Sequence, residues 1–257
     1  MAIALIHKPR GQTPLRAMTD WANGQPALAE EPRVYAGRLD PMAEGALLVL
    51  TGEDRHALQV HLRHDKTYVA TFLFGVSSDT GDGLGRVAAG QGELPSVEDV
   101  LGAVKLLCGT HVLPLPVWSS HRVRGKPLWW WAQRGRSDEV EVPVRAMTVT
   151  RVAEVTARMV RAEDVAADMK TRIAEVEGDF RQDDALHAWE AVARSTSTLV
   201  EATAVLDVTS GTYVRALADL LGVRLGCGAL LAALARTRVG PYVLQADGTV
   251  DPEAVAG

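Results

Sequence analysis

Cysteine is scarce: 257 residues carry only two, Cys108 and Cys227. A disulfide framework is therefore excluded, and a reducing, cytoplasmic setting is expected. No stretch approaches the roughly 18 consecutive apolar residues of a membrane-spanning helix, so no membrane role is expected. The start of the chain lacks the basic head and long apolar run of an export signal. Ile3 to Ile6 reads instead as a first β-strand. There is no low-complexity tract and no internal repeat. Nor is there an excess of positive charge: 27 Lys and Arg face 32 Asp and Glu, a net of −5. A uniformly basic nucleic-acid binder is excluded, but a basic patch on an acidic body is not.

What is present is ordinary globular material, 47% hydrophobic and 23% charged, which excludes disorder, collagen and coiled coil. The length allows one large domain or two small ones. Val- and Thr-rich runs predict strands at Tyr68 to Phe74, Val142 to Val155 and Leu199 to Val208. Helical patterns fall at Glu53 to Arg63, Val97 to Leu107, Arg215 to Leu221 and Gly228 to Ala235. Ser96, followed by Glu98 and Asp99, predicts a helix start. The irregular alternation points to an α/β (α+β) fold, with a mixed, largely antiparallel sheet flanked by helices.

Charge is unevenly spread. Between Ala153 and Glu190 ten acids face five bases, a deficit equal to that of the whole chain. This stretch reads as a mostly helical insertion with a solvated acidic face. Trp118 to Arg136 is its opposite. It holds Arg122, Arg124, Lys126, Arg134 and Arg136, no acid, and four of the six tryptophans. Cations for phosphates and flat rings for bases suit looped RNA. A core tryptophan cluster edged by snorkelling arginines has the same composition.

Most candidate chemistry fails on inspection. Gly81-Asp82-Gly83-Leu84-Gly85-Arg86 lacks the third glycine of a dinucleotide loop and the Lys-Ser/Thr of a phosphate loop, and reads as a turn. Asp79 and Asp82 do not have EF-hand spacing. His56, His61 and His64 lack the paired Cys or Glu-His pattern of a zinc site. Gly75-Val76-Ser77-Ser78 misses the second glycine of a nucleophile elbow. What remains is Gly37-Arg38-Leu39-Asp40-Pro41-Met42-Ala43-Glu44-Gly45. Pro41 holds Asp40 away from helix, next to the apolar run Ala46 to Thr51, a strand or the start of a buried helix. The pair is either a plain turn or a carboxylate placed at the edge of a rigid element.

These residues resemble the Gly-x-Leu-Asp-Pro-x-Ala-x-Gly motif of the TruB-type pseudouridine synthases. Further likenesses follow in the family's order. His7-Lys8-Pro9-Arg10-Gly11 is similar to its N-terminal Lys-Pro-x-Gly motif, and Asp65-Lys66-Thr67-Tyr68 to its Lys-x-Tyr motif. Phe74-Gly75 through Ser78-Asp79-Thr80-Gly81-Asp82 is similar to its Gly…Thr-Asp stretch. Pro116 to Ser120, with Gly125-Lys126 and Arg134-Gly135, resembles its RNA-gripping thumb. Gly211-Thr212-Tyr213-Val214-Arg215 resembles Gly-Thr-Tyr-Ile-Arg. Leu225 to Ala229 and Leu234-Ala235-Arg236-Thr237 resemble its last helix. The likeness runs from about residue 3 to 242, except for an insertion at 158–197. Tyr35 stands where bacterial members carry His, and Trp118 and Trp129 stand where they carry Tyr.

The resemblance implies one pseudouridine synthase catalytic domain over 1–257, with a thumb-like segment at 116–136 and the acidic helical insertion at 158–197. The chain's end leaves no room for a C-terminal PUA domain. The implied reaction isomerises a uridine in the tRNA T-loop: the glycosidic bond breaks, the base turns, and C1′ joins C5. By resemblance Asp40 attacks C1′ or removes the C2′ proton to give a glycal. It must be ionised and dry, which requires a neighbouring cation. Arg215 is the candidate. Tyr68 stacks on the uracil, with a possible proton-removing role for its hydroxyl. The expected RNA-contacting set is Lys8, Tyr35, Gly37, Arg38, Arg122, Arg124, Lys126, Arg134, Arg136 and Leu234, with Lys8 holding either the N-terminal strand or a phosphate. No cofactor and no metal are expected. The partners are the tRNA T-arm and a protein docked on the acidic insertion, and the chain is expected to be a monomer. The alternatives are an RNA-binding chaperone of the same fold and a synthase acting on another RNA.

Overall fold

The computed structural model describes residues 3–28 and 30–245. In chain order the elements are β1 (Ile3–Lys8), α1 (Pro14–Asn23), β2 (Arg33–Ala36), β3 (Ala43–Thr51), α2 (Leu58–Leu62), β4 (Lys66–Phe74), β5 (Val76–Ser78) and β6 (Val87–Ala89). Then come α3 (Val97–Lys105), β7 (Gly109–Pro114), β8 (Arg122–Val123), β9 (Lys126–Pro127), α4 (Leu128–Gln133), β10 (Val144–Arg161), α5 (Ala162–Ala174) and α6 (Gln182–Ser195). The chain closes with β11 (Thr198–Val208), α7 (Val214–Leu225), β12 (Ala229–Val239) and β13 (Tyr242–Val243).

Nine strands make one sheet in the order β1-β3-β12-β4-β11-β10-β7, with β2 on β3 and β13 on β12. Within this sheet the β3–β12 pair is parallel and the others are antiparallel. The mixed, mostly antiparallel sheet expected from the sequence is therefore present. The apolar run from Ala46 resolves as strand β3. The helix start at Ser96 is a full capping box, with Ser96 Oγ accepting from Asp99 N and Asp99 reaching back to Ser96 N. That arrangement satisfies two otherwise orphaned helix-end donors.

One expected helix is a strand. Ala229 to Ala235 belongs to β12, in the middle of the sheet between β3 and β4. A continuous apolar run does not distinguish a buried helix from a buried strand. Here α7 stops at Gly226, whose φ of 68° is left-handed, and Gly228 follows at 72°. The two glycines turn the chain straight back into the sheet. Alternation then takes over: Ala229 and Leu231 enter one apolar core, Leu230 and Ala232 the other.

Those two cores lie on opposite faces of the sheet. Phe72 and Phe74 of β4 join the first with α3 and α7, whereas Leu73 joins the second. The second is closed by α5 and α6. Their apolar positions, Val165, Met169 and Ile173 on α5 and Ala185, Trp189 and Val192 on α6, recur at helical spacing. The acidic stretch begins as strand, since β10 continues to Arg161, and only from Ala162 does it form the helices α5 and α6, whose inner stripe roofs a sheet face. Trp189 is 1% exposed, and its Nε1 donates to Gly83 O at 2.8 Å. Trp189→Ala is expected to cost about 3–5 kcal/mol, read as a lowered urea midpoint. An unchanged midpoint would show that the hairpin is not part of the cooperative core.

Candidate active-site cleft

The loop carrying Asp40 joins β2 to β3 and is tied down from below. Arg236 of β12 is 1% exposed. Its Nε donates to Ala46 O at 2.6 Å, and its two terminal nitrogens donate to Gly37 O at 3.1 Å and Arg38 O at 3.3 Å. Lys8 donates to Pro41 O at 3.5 Å and Ala43 O at 2.5 Å. Gly45 has φ 105°, and a Cβ there would fall 2.2 Å from Arg236 O, so β3 and β12 meet only at a glycine.

Asp40 Oδ2 lies 2.8 Å from Arg215 Nε. Arg215 stands in the first turn of α7 with a side chain 5% exposed, while that of Asp40 is 38% exposed. The expected ion pair is present, but the expected dry aspartate is not: burial falls on the guanidinium, and the carboxylate opens to the cleft. Arg215 also donates to Thr80 O at 2.7 Å and Trp118 O at 3.4 Å. Despite burial, which opposes its charge, its pKa is raised by the facing carboxylates of Asp40 and Asp82.

Asp82 is the carboxylate the sequence reading passed over as part of a turn. Its Oδ2 is 3.9 Å from Arg215 Nε. Its Oδ1 accepts from Thr80 Oγ1 at 2.6 Å and Leu84 N at 3.1 Å. Burial pushes its pKa up, Arg215 opposes that, and Asp40 adds to it. One buried guanidinium is therefore shared between an open carboxylate and a closed one.

Above them lies a cleft of about 750 Å³. Tyr68, Trp118, Trp129 and Phe180 give it aromatic walls, and Leu234 adds an aliphatic one. Arg38, Lys66, Arg145, Arg181, Arg215 and Arg236 face only Asp40, Asp82 and Asp179 among the cleft's charged residues. An acidic chain thus presents a cationic cavity. Ser119 and Thr212, also in the lining, have buried hydroxyls with no hydrogen-bond partner among the described residues. His61 and His64 sit 3.2 Å apart, and no metal-holding cluster of His, Cys, Asp or Glu occurs among the described residues.

Residues 29–176 match the TruB family pseudouridylate synthase N-terminal domain. The chain belongs to the TruB family. It is similar to tRNA pseudouridine synthase B of Nitratidesulfovibrio vulgaris, with 30% identity over 245 residues covering 93% of this chain and 64% of that protein. The protein of the same name from Bifidobacterium longum is 30% identical over 282 residues, covering 98% of this chain and 67% of its own length. The chain thus spans about two thirds of these relatives. The fold is shared with a crystal structure of a Cbf5-Nop10-Gar1 complex, at TM-score 0.53 and 20% identity over 95% of this chain and 50% of that one. A structure of an H/ACA RNP bound to a substrate RNA containing 2′-deoxyuridine matches at 0.51 and 19%, over 95% and 49%.

Against this TruB frame the expected RNA-contacting residues divide. Gly37, Arg38 and Leu234 line the cleft. Lys8 is fully buried and bonded to loop carbonyls, so it holds the Asp40 loop and has no route to a phosphate. Tyr35 lies outside the cleft lining, packed against the α1 core with its hydroxyl 3.5 Å from Arg38. The thumb-like segment also splits. Trp131 is buried with Leu115 and Met147, while Trp118 and Trp129 line the cleft. Arg122, Arg124, Lys126 and Arg134 are exposed on the β8–β9 ribbon and α4, outside the lining. Arg134 lies over the Trp130 ring at 4.2 Å. Arg136, also exposed and outside the lining, is paired with Glu139 through bonds of 2.6 and 2.7 Å. The sequence reading missed Asp82, Lys66, Arg145, Arg181 and Arg236. Asp82, Lys66 and Arg236 lie inside the family-like motifs, whereas Arg145 and Arg181 have no local signal.

Burial holds the pKa values of Lys8 and Lys66 at about 8, below the ordinary 10.5. Lys66 Nζ is bonded to Leu62 O at 3.0 Å and to His64 O. Between these pKa values the unfolded chain keeps protons that the folded chain has released, so stability rises with pH across that window. The urea midpoint is expected to climb from pH 8 to about 9.5, and to climb less in Lys66→Met. A flat wild-type profile, or an unchanged slope in the variant, would contradict the assignment.

Proposed function

We propose that the cleft isomerises uridine to pseudouridine in the T-loop of tRNA. The observation that supports this most strongly is the Asp40–Arg215 pair at the floor of an aromatic, cationic cleft. The relatives' name, tRNA pseudouridine synthase B, supports the reaction and tRNA as its substrate class.

The reaction needs an ionised carboxylate against the ribose. Arg215 keeps Asp40 charged and fixes its direction, because guanidinium binds carboxylate through planar, permanently charged N–H groups. Asp40 then either attacks C1′ or takes the C2′ proton, and the bond from C1′ to N1 breaks in both routes. The base turns and C5 joins C1′, which releases the Asp40 carboxylate from C1′ in the first route and returns the proton to C2′ in the second; the proton lost from C5 is matched by one gained at N1. Tyr68 lies in the lining with Asp40 and provides a stacking face for the uracil. Stacking of this kind returns roughly 1–3 kcal/mol against the few kcal/mol needed to extrude a base. Arg38, beside Asp40, and Leu234 shape the pocket. Arg122, Arg124, Lys126 and Arg134 lie outside the cleft and supply phosphate contacts, which makes binding salt-sensitive.

A second reading, RNA binding without turnover, is favoured by Tyr35 lying outside the cleft. Tritium release from a C5-tritiated T-loop RNA separates the two. The wild type is expected to release tritium. Asp40→Asn is expected to lose at least about 10³-fold in rate while still binding the RNA. Undiminished release by the variant would overturn the assignment of Asp40, and binding without any release by the wild type would establish the second reading.

A further inference from the structure

The turn between α5 and α6 enters the cleft wall: Asp179, Phe180 and Arg181 all line it. Arg181 has φ 62°, the left-handed region, which non-glycine residues adopt uncommonly. The turn is braced to keep it there. Gln182 accepts from Phe180 N at 2.8 Å and donates to Val176 O at 3.2 Å and Gly178 O at 2.5 Å. Its α5–α6 frame is fixed by the buried stripe around Trp189.

The Arg181 guanidinium lies over the Trp118 ring, 3.8 Å from its centroid. Its terminal nitrogens donate to Asp79 at 2.8 and 3.4 Å. These bonds engage two of the five side-chain N–H donors an arginine carries, and the side chain is 22% exposed. Beside Trp118, the buried Ser119 hydroxyl has no partner among the described residues. A cation over an indole with donors to spare, in a lining that also carries an orphaned buried hydroxyl, is a place short of oxygen acceptors. A purely structural ion pair needs neither the strained backbone nor the spare donors.

We propose that Arg181 is a substrate-binding residue contributed by the helical hairpin, which takes an RNA backbone phosphate in exchange for Asp79 while remaining stacked on Trp118. The proposal rests on the RNA reading above and names a contact within it. The phosphate oxygens accept the N–H groups that Asp79 holds in the free protein. Asp79 acts as a stand-in anion, keeping the guanidinium placed until RNA arrives.

The test is anisotropy titration of a T-arm hairpin RNA across a KCl series, with tritium release and urea midpoints on the same proteins. Arg181→Ala is expected to weaken binding about tenfold and to reduce the salt slope by about 1, with KM rising and kcat changing by less than about threefold. Arg181→Lys is expected to keep the slope and recover part of the affinity, since it retains charge without the fork. Asp79→Asn removes the competing anion and is expected to bind RNA as tightly as the wild type or a few-fold more tightly. Wild-type affinity and slope in Arg181→Ala, with a lowered urea midpoint, would make Arg181 a structural brace and overturn the proposal. Weakened binding in Asp79→Asn would overturn the exchange. A wild type that neither binds nor modifies the hairpin would fell the RNA reading itself, and this contact with it.

Discussion

The site depends on a single, almost fully buried guanidinium. Arg215 touches Asp40, approaches Asp82, and bonds the carbonyls of Thr80 and Trp118. It therefore joins the Asp40 loop, the Gly81–Gly85 turn, the thumb-like segment and the start of α7. Removing one partner of a buried pair leaves the other uncompensated. Here the loss would also place two carboxylates opposite each other and unfasten the wall that carries Trp118. Geometry and electrostatics thus fail together, which ties the shape of the cleft to its charge.

The parts of this arrangement that were legible in the sequence are those carried by local pattern. Val- and Thr-rich runs marked β4, β10 and β11, and the Asp-Pro pair marked the Asp40 loop. Arg215 followed from the need for a counter-charge and from its motif. Asp82 was not legible, because a carboxylate between glycines reads as a turn until α7 is folded against it. Arg181 was hidden for the same reason: 102 residues separate it from Asp79, and nothing local signals the contact. Gly228 to Ala235 misled because alanine and leucine favour helix, whereas the slot between β3 and β4 imposes a strand. Tyr35 and Lys8 were placed near the reaction by their motifs, yet side-chain packing takes one to the α1 core and the other beneath the loop.

The hairpin formed by α5 and α6 shows how one acidic stretch serves two ends. Its charged face is solvated, as its composition required. Its inner stripe completes a core, and the turn between the helices delivers an arginine to the cleft. A segment with a net negative charge thereby supplies the cleft lining with one arginine, balanced there by Asp179, while its other acids stay on the solvated face. Arg86 pairs with Asp184 at 2.6 Å, fastening the same hairpin to the turn that carries Asp82.

The sheet's parallel pair has a consequence for synthesis. The carbonyls of Gly37 and Arg38 are held by Arg236, 199 and 198 residues further along the chain. The loop bearing Asp40 emerges early, but its scaffold arrives with almost the last strand. A nascent chain that has not yet reached β12 therefore carries Asp40 without the buried guanidinium that holds its loop, and the carboxylate takes up its setting only once Arg236 has been added.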